Sequence, residues 1–315
     1  MNNPITRRHF VGLTAGAGAT LLASGARAIM TPAMAANSTF QIGDDLEVNR
    51  LGFGAMRLTG EGIWGWPPDR ENAKKVLRRA VELGVNLIDT ADAYGPEVDE
   101  LLIAEALHPY PKGLVIATKG GLTRPGPGEW EPDCRPDRLK KCVDGSLKRL
   151  RLDRIDLYQL HTVDPKVPLE DSVGALKEMQ SAGKIRHLGL SNVSTDEINR
   201  ARKIVPIVSV QNRYNFADRK SERVLDYCEK EKLAFLPWFP VGGGNGLRQK
   251  SVLEPIAKAH NASVYQVALA WLLARSPVML PIPGTSKIQH LEDNCAAAKL
   301  KLTPEEWSRI DALKT

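Results

Sequence analysis

From about residue 40 onward, apolar and polar positions follow two rhythms that alternate without a break. Short apolar runs, VNLID, LVIATK, IDLYQLH, IRHLGLS, IVSVQN, AFLPWF and VMLPIPG, have the length and branched side chains of buried strands. Between them, stretches such as ENAKKVLRRAVELG, RPDRLKKCVDGSLKRLR, LEDSVGALKEMQSAG and SVYQVALAWLLARS repeat apolar residues near every 3.6 positions, as amphipathic helices do. Gly84 and Gly183 end two of these helices, where a residue free to take positive φ is favoured. Ahead of the series, FQIGDDLEVNRLGFG predicts a hairpin that turns at Gly43-Asp44-Asp45, its second arm running into a first strand near Leu51. About eight strand–helix units then fill residues 37–315, which predicts one α/β domain, a (β/α)₈ TIM barrel with an N-terminal β-hairpin. A doubly wound sheet is the competitor, and the lack of a GxGxxG after the first strand counts against it.

Residues 1–36 break the rhythm. Arg7 and Arg8 in TRRHFVGL precede a small, apolar stretch with no charge before Arg27, which resembles a twin-arginine export signal. Small residues at Ala26 and Ala28, and at Ala33 and Ala35, suit a cleavage site. The expectation is delivery to the periplasm through the twin-arginine machinery, or a cytoplasmic protein if the leader does not function. No stretch reaches the roughly 20 apolar residues of a spanning helix, so no stable membrane insertion of the mature chain is expected.

Composition adds little beyond a globular class: 315 residues, 43% hydrophobic and 25% charged. The net charge of +6 includes Arg7, Arg8 and Arg27 of the leader, and the remaining basic residues are scattered, so nucleic acid is not an expected partner. Cys134, Cys142, Cys228 and Cys295 show no metal-like spacing, and no metal site is expected. They read as buried free thiols, their disulfide state open. Nothing in the pattern decides oligomeric state.

Chemistry enters at the strand ends. VNLIDT stops on Asp89, LVIATKGG on Lys119 and IDLYQLHTVD on His161, with Tyr94 shortly after the first. Each alone is unremarkable as a cap, a solvated strand end, a core histidine or a packed ring. Parallel strands would bring all four to one barrel mouth, where active sites are built. Buried Asp89 and Lys119 make sense as partners. A cationic lysine beside the Tyr94 hydroxyl would lower its pKa from about 10, and a neutral His161 could bond the same oxygen. Such a group donates a proton to a carbonyl oxygen. The loops EGIWGWPPD, TRPGPGEWEPDCRPD and PVGGGNGLRQK all follow strands and would wall this mouth.

From about Leu51 to the last helix the chain resembles the aldo-keto reductases, most specifically in GVNLIDTADAYG, the lysine of ATKGG, LYQLH, KIRHLGLSNV, VQNRYN and PIPGTSKIQHLEDN. The resemblance implies a catalytic tetrad of Tyr94, Lys119, Asp89 and His161, serving NADP-dependent reduction of a small-molecule carbonyl, with NAD left open. Ser191, Asn192 and Gln211 match residues that hold the nicotinamide carboxamide, and Trp238 stands where a tyrosine usually stacks on the ring. Gly284, Thr285, Ser286 and Lys287 open a helix after the last strand, a natural anion site. In the family this segment takes the adenosine 2′-phosphate, with Asn294 near the adenine. His290 aligns with the arginine that often clamps that phosphate, a weaker and pH-dependent substitute. Trp64, Trp66 and Trp130 suit a flat or aromatic aldehyde, and LPWFPVGGG is similar to pyridoxal reductase-like members, so pyridoxal is a candidate within a broader aldehyde range. The alternative is a cofactor-binding redox sensor with little turnover.

Overall fold

The computed structural model describes residues 38–242 and 250–313. The expected leader and most of PVGGGNGLRQK lie outside them. Strands β1 (Thr39–Ile42) and β2 (Leu46–Asn49) pair antiparallel in the register Ile42↔Leu46, across a turn that begins on Gly43 at φ +60°. Ile42, Leu46 and Val48 of this hairpin are buried against Leu87, Val115 and Leu157, near the starts of barrel strands. The hairpin therefore plugs the barrel end opposite the expected site.

The barrel strands are β3 (Phe53–Gly54), β4 (Leu87–Asp89), β5 (Val115–Gly120), β8 (Ile155–Leu160), β9 (Ile185–Ser191), β10 (Ile207–Gln211) and β11 (Ala234–Phe235), hydrogen-bonded in that order and all parallel. Two short strands, β6 (Leu122–Thr123) and β7 (Glu131–Pro132), form an antiparallel hairpin inside the loop after β5, a pairing the sequence pattern did not foretell. The eighth staves are completed without a regular strand. Phe235 N–H donates to the Val278 carbonyl at 2.8 Å, Leu280 N–H to Phe235 at 2.8 Å, and Gly52 N–H to Pro281 at 2.9 Å. AFLPWF is thus shorter as a strand than expected, and VMLPIPG forms only an isolated parallel bridge, Phe235↔Met279, because Pro237, Pro281 and Pro283 have no N–H for a ladder.

The helical layer consists of α1 (Arg70–Glu82), α2 (Val98–Leu107), α3 (Pro136–Leu150), α4 (Leu169–Ser181), α5 (Thr195–Arg202), α6 (Glu222–Glu231), α7 (Lys250–Ala259), α8 (Val264–Arg275), α9 (Ile288–Ala296) and α10 (Pro304–Asp311). The period-two alternation of the strands divides the core. Ile88 and Ile116 face outward onto Val76 and Leu77 of α1 and Leu102 and Ile103 of α2, whereas Leu87, Val115, Ala117 and Leu157 fill the interior. Continuing the inward parity along each strand places Asp89, Lys119, Gln159, Ser191 and Gln211 inside as well. Gly84 and Gly183 adopt φ +89° and +77° just beyond α1 and α4, as their helix-ending role requires.

Local capping supports the frame. Ser263 accepts from Gln266 N–H at 3.2 Å while the Gln266 side chain takes the Ser263 N–H at 2.7 Å, a reciprocal cap on α8. Ser263→Ala is expected to cost about 1 kcal/mol, read as a lower urea midpoint with an unchanged slope. Among the described residues no helix is long and apolar enough to cross a membrane, and no cluster of metal-ligating side chains occurs. The four cysteines are free, three of them buried.

Candidate active site

The inward ends of the strands meet at the C-terminal mouth. Lys119 Nζ, wholly inaccessible to solvent, donates to Asp89 Oδ1 at 2.6 Å, to the Thr90 carbonyl at 2.8 Å and to the Tyr94 hydroxyl at 3.3 Å. Tyr94 reaches this point from a turn after β4, in which its N–H donates to the Ala91 carbonyl. His161, one residue past β8, presents its ring edge-on to Tyr94 with centroids 5.8 Å apart. The four residues singled out in the sequence are therefore brought together.

Electrostatics define their protonation. Burial alone would push the Lys119 ammonium down, but Asp89 and Tyr94 outweigh it and its pKa rises, so it stays cationic. Burial, with Lys119 and Arg124 nearby, holds His161 well below the ordinary histidine range. Its ring is neutral, and Nδ1 has no partner among the described residues. Tyr94 departs from expectation: burial raises its pKa above 10, and the Lys119 charge only partly offsets this. The hydroxyl is thus held protonated.

Asp89 Oδ2 accepts from Gln211 Nε2 at 2.8 Å and from Gln159 Nε2 at 3.2 Å. With its amide nitrogen committed to Asp89, Gln211 has a side-chain carbonyl oxygen that accepts no hydrogen bond among the described residues. Asn192, at φ +58°, donates to the His161 carbonyl at 3.0 Å and accepts the Trp238 indole N–H at 2.9 Å. Ser191, Asn192, Gln211 and Trp238 all line one cavity with Tyr94 and His161. That cavity, about 560 Å³, continues past Met56 and Arg57 to Ile282, Pro283 and Gly284. Leu122, Trp130, Phe239, Val241 and Tyr265 also line it.

A second hollow holds Arg57, Gly284, Thr285 and Ser286 together. Gly284 lies so close to the backbone that an added Cβ would stand 2.3 Å from the Gly54 carbonyl oxygen. Lys287 N–H donates to Thr285 Oγ1 at 3.1 Å as α9 begins. Lys287 and His290 are exposed and Asn294 half-buried on α9; these three lie beyond both hollows. An elongated cleft with a free amide acceptor, an aromatic face and a helix N-terminus at its far end fits a nicotinamide dinucleotide.

Sequence reasoning missed the support behind the tetrad. Thr90 donates to Asp99 at 2.8 Å and Thr118 to Glu100 at 2.5 Å, while Arg149 Nε meets Glu100 at 2.6 Å. Burial and the neighbouring Glu100 push Asp99, and likewise Asp92, up to about 7. Asp99 and Glu100 sit on α2, which is buried on nearly every side and so shows little amphipathic period. Gln159 carries a fainter signal, inward parity beside Lys119, with which it pairs across β5 and β8.

The Aldo/keto reductase family model matches residues 50–315. An uncharacterized oxidoreductase of Schizosaccharomyces pombe is 51% identical over 87% of this chain and 89% of its own length. A pyridoxine 4-dehydrogenase of Escherichia coli is 46% identical over 88% of this chain and 98% of its own. Among solved structures, an aldo/keto reductase from Klebsiella pneumoniae in complex with NADP and acetate superposes with a TM-score of 0.76 at 27% identity, covering 88% of this chain and 95% of that one. This chain belongs to the aldo-keto reductase family. It is an NAD(P)H-dependent oxidoreductase on a TIM barrel.

Proposed function

We propose that this protein uses NADPH to reduce aldehydes to primary alcohols, with Tyr94 as general acid, and that flat aromatic aldehydes, pyridoxal among them, fall within its range. The observation that carries this is Lys119 Nζ shared between Asp89 and the Tyr94 hydroxyl, at the floor of a cleft that leads to Gly284 and Thr285. The relative that is a pyridoxine 4-dehydrogenase favours a pyridoxal-type substrate, and the neighbour holding NADP favours the phosphorylated cofactor.

Bound in this cleft, the reduced nicotinamide supplies a hydride to the carbonyl carbon. Gln211, Ser191 and Asn192 would hold its carboxamide, and Trp238 would cover its ring. Thr285, Ser286 and Lys287 would face the 2′-phosphate, with His290 in place of the usual arginine and Asn294 toward the adenine. Tyr94 donates its hydroxyl proton to the substrate oxygen as negative charge develops there. Lys119, pinned by Asp89, stabilises the phenolate left behind. Neutral His161 orients the carbonyl and takes no proton.

Mixing the purified protein with NADPH or NADH and pyridoxal, benzaldehyde or propanal is the direct test. Loss of nicotinamide absorbance, faster with NADPH, is expected. Tight NADPH binding with no turnover of any aldehyde would replace the enzyme by a redox sensor. The twin arginines at Arg7 and Arg8 support export of the folded chain. Replacing both by lysine should then retain the protein in the cytoplasm on cell fractionation, and unchanged distribution would refute export.

A further inference from the structure

Arg124, in the loop after β6, is 9% exposed, yet no carboxylate pairs with it among the described residues. Its guanidinium instead donates to four backbone carbonyls. Nε reaches Glu129 at 2.6 Å, Nη1 reaches Ile63 and Ala93, each at 2.9 Å, and Nη2 reaches Gly62 at 2.9 Å. These oxygens belong to three separate loops, those after β3, β4 and β5, and Ala93 immediately precedes Tyr94. The guanidinium carbon Cζ lies over the Trp130 ring, 3.7 Å from its centre. That ring in turn stands edge-on to Tyr94 at 6.2 Å and to His161 at 6.4 Å.

Burying an unpaired cation is costly, so four carbonyls and an aromatic face must compensate for the water it loses. Four of its five N–H donors are committed to the protein, which leaves little with which to bind a substrate anion. The arrangement serves structure at the acceptor side of the cleft instead. Only a planar, multi-donor fork can bind three loops at once while stacking on an indole; a lysine ammonium has neither the reach nor the plane.

Building on the reductase reading above, we propose that Arg124 is a positioning residue that holds Trp130 as a rigid flat wall beside Tyr94 and His161, and that this pair sets a preference for planar carbonyl substrates. A planar aldehyde gains ring contact with Trp130 while its oxygen meets Tyr94; a small aliphatic one gains almost none of it. Arg124 therefore acts on which substrate is accepted, through Trp130.

The test compares wild type, Arg124→Lys, Trp130→Leu and the double variant, all as the full chain, with benzaldehyde and propanal. The readout is the ratio of the two kcat/KM values. Each single variant is expected to lower the benzaldehyde-to-propanal ratio by about tenfold, and the double variant no further, because both changes remove one device. A merely structural defect lowers both substrates together and leaves the ratio in place. A wild-type ratio in Arg124→Lys, or losses that multiply in the double variant, would overturn the proposal. Trp130 is half-buried on a loop, so Trp130→Leu guards against a folding failure of the arginine variant. Benzyl alcohol binding in the presence of NADP, followed by calorimetry, separates the two ideas. A wild type that reduces neither aldehyde sinks the reductase reading alone, whereas equal benzyl alcohol binding by wild type and Arg124→Lys sinks the positioning role.

Discussion

Tyr94→Phe is expected to lower kcat for aldehyde reduction by about 10²–10⁴-fold, the contribution of a positioned general acid. The dissociation constant for NADPH should change less than about twofold, since the lost hydroxyl bonds Lys119 and none of the residues assigned to the cofactor. Stopped-flow turnover alongside cofactor fluorescence would check both. A variant that keeps wild-type kcat removes Tyr94 from the chemistry. The protonation state adds a pH signature. Burial holds the tyrosine above its ordinary pKa and His161 well below its own, so neither changes charge across about pH 6–9. Reduction should be nearly flat over that range. The reverse oxidation needs the phenolate as base, and its rate should climb with pH throughout. Asp92 and Asp99, pushed up to about 7 behind the tetrad, titrate inside this range, so a steep fall near pH 7 that persists in Asp92→Asn and Asp99→Asn would point to a different proton donor.

How far the sequence exposes such a site depends on whether a residue disturbs a pattern. Asp89, Lys119 and His161 were legible because each ends an apolar run, where an ionisable side chain is out of place unless something uses it. The barrel was legible because apolar strand runs alternate with amphipathic helices such as α1 and α3, although α2 and α8, the latter expected to be amphipathic, are buried on nearly every side and show little helical period. Gln159 disturbs nothing: its link to Asp89 depends on the register Lys119↔Gln159, which one chain does not display. Arg124 is equally silent in TRPGPGEW, because its partners are backbone carbonyls at Gly62, Ile63, Ala93 and Glu129, invisible to any reading of side chains. Burial reverses the direction expected for the Tyr94 shift. Neighbouring charge can be inferred from sequence, but the depth at which a hydroxyl lies cannot, and here depth has the larger effect.

The same depth governs the second large effect. Lys119→Met removes a cation that is fully buried and bonded to three oxygens. Asp89 then keeps only the amides of Gln211 and Gln159, too little to hold a buried carboxylate. Breaking such a pair costs about 3–5 kcal/mol, so the urea midpoint should fall sharply, and turnover should be lost because nothing stabilises the Tyr94 phenolate. Stability and chemistry can be separated by removing the stranded acid as well. The double variant Lys119→Met/Asp89→Leu deletes both charges and should recover much of the lost stability, since replacing a buried pair by apolar groups is often close to neutral. It should not recover turnover. If the single variant unfolds like the wild type, the pair is not the electrostatic anchor its geometry implies. If the double variant regains activity, Lys119 serves the fold, and the phenolate must be stabilised by another group.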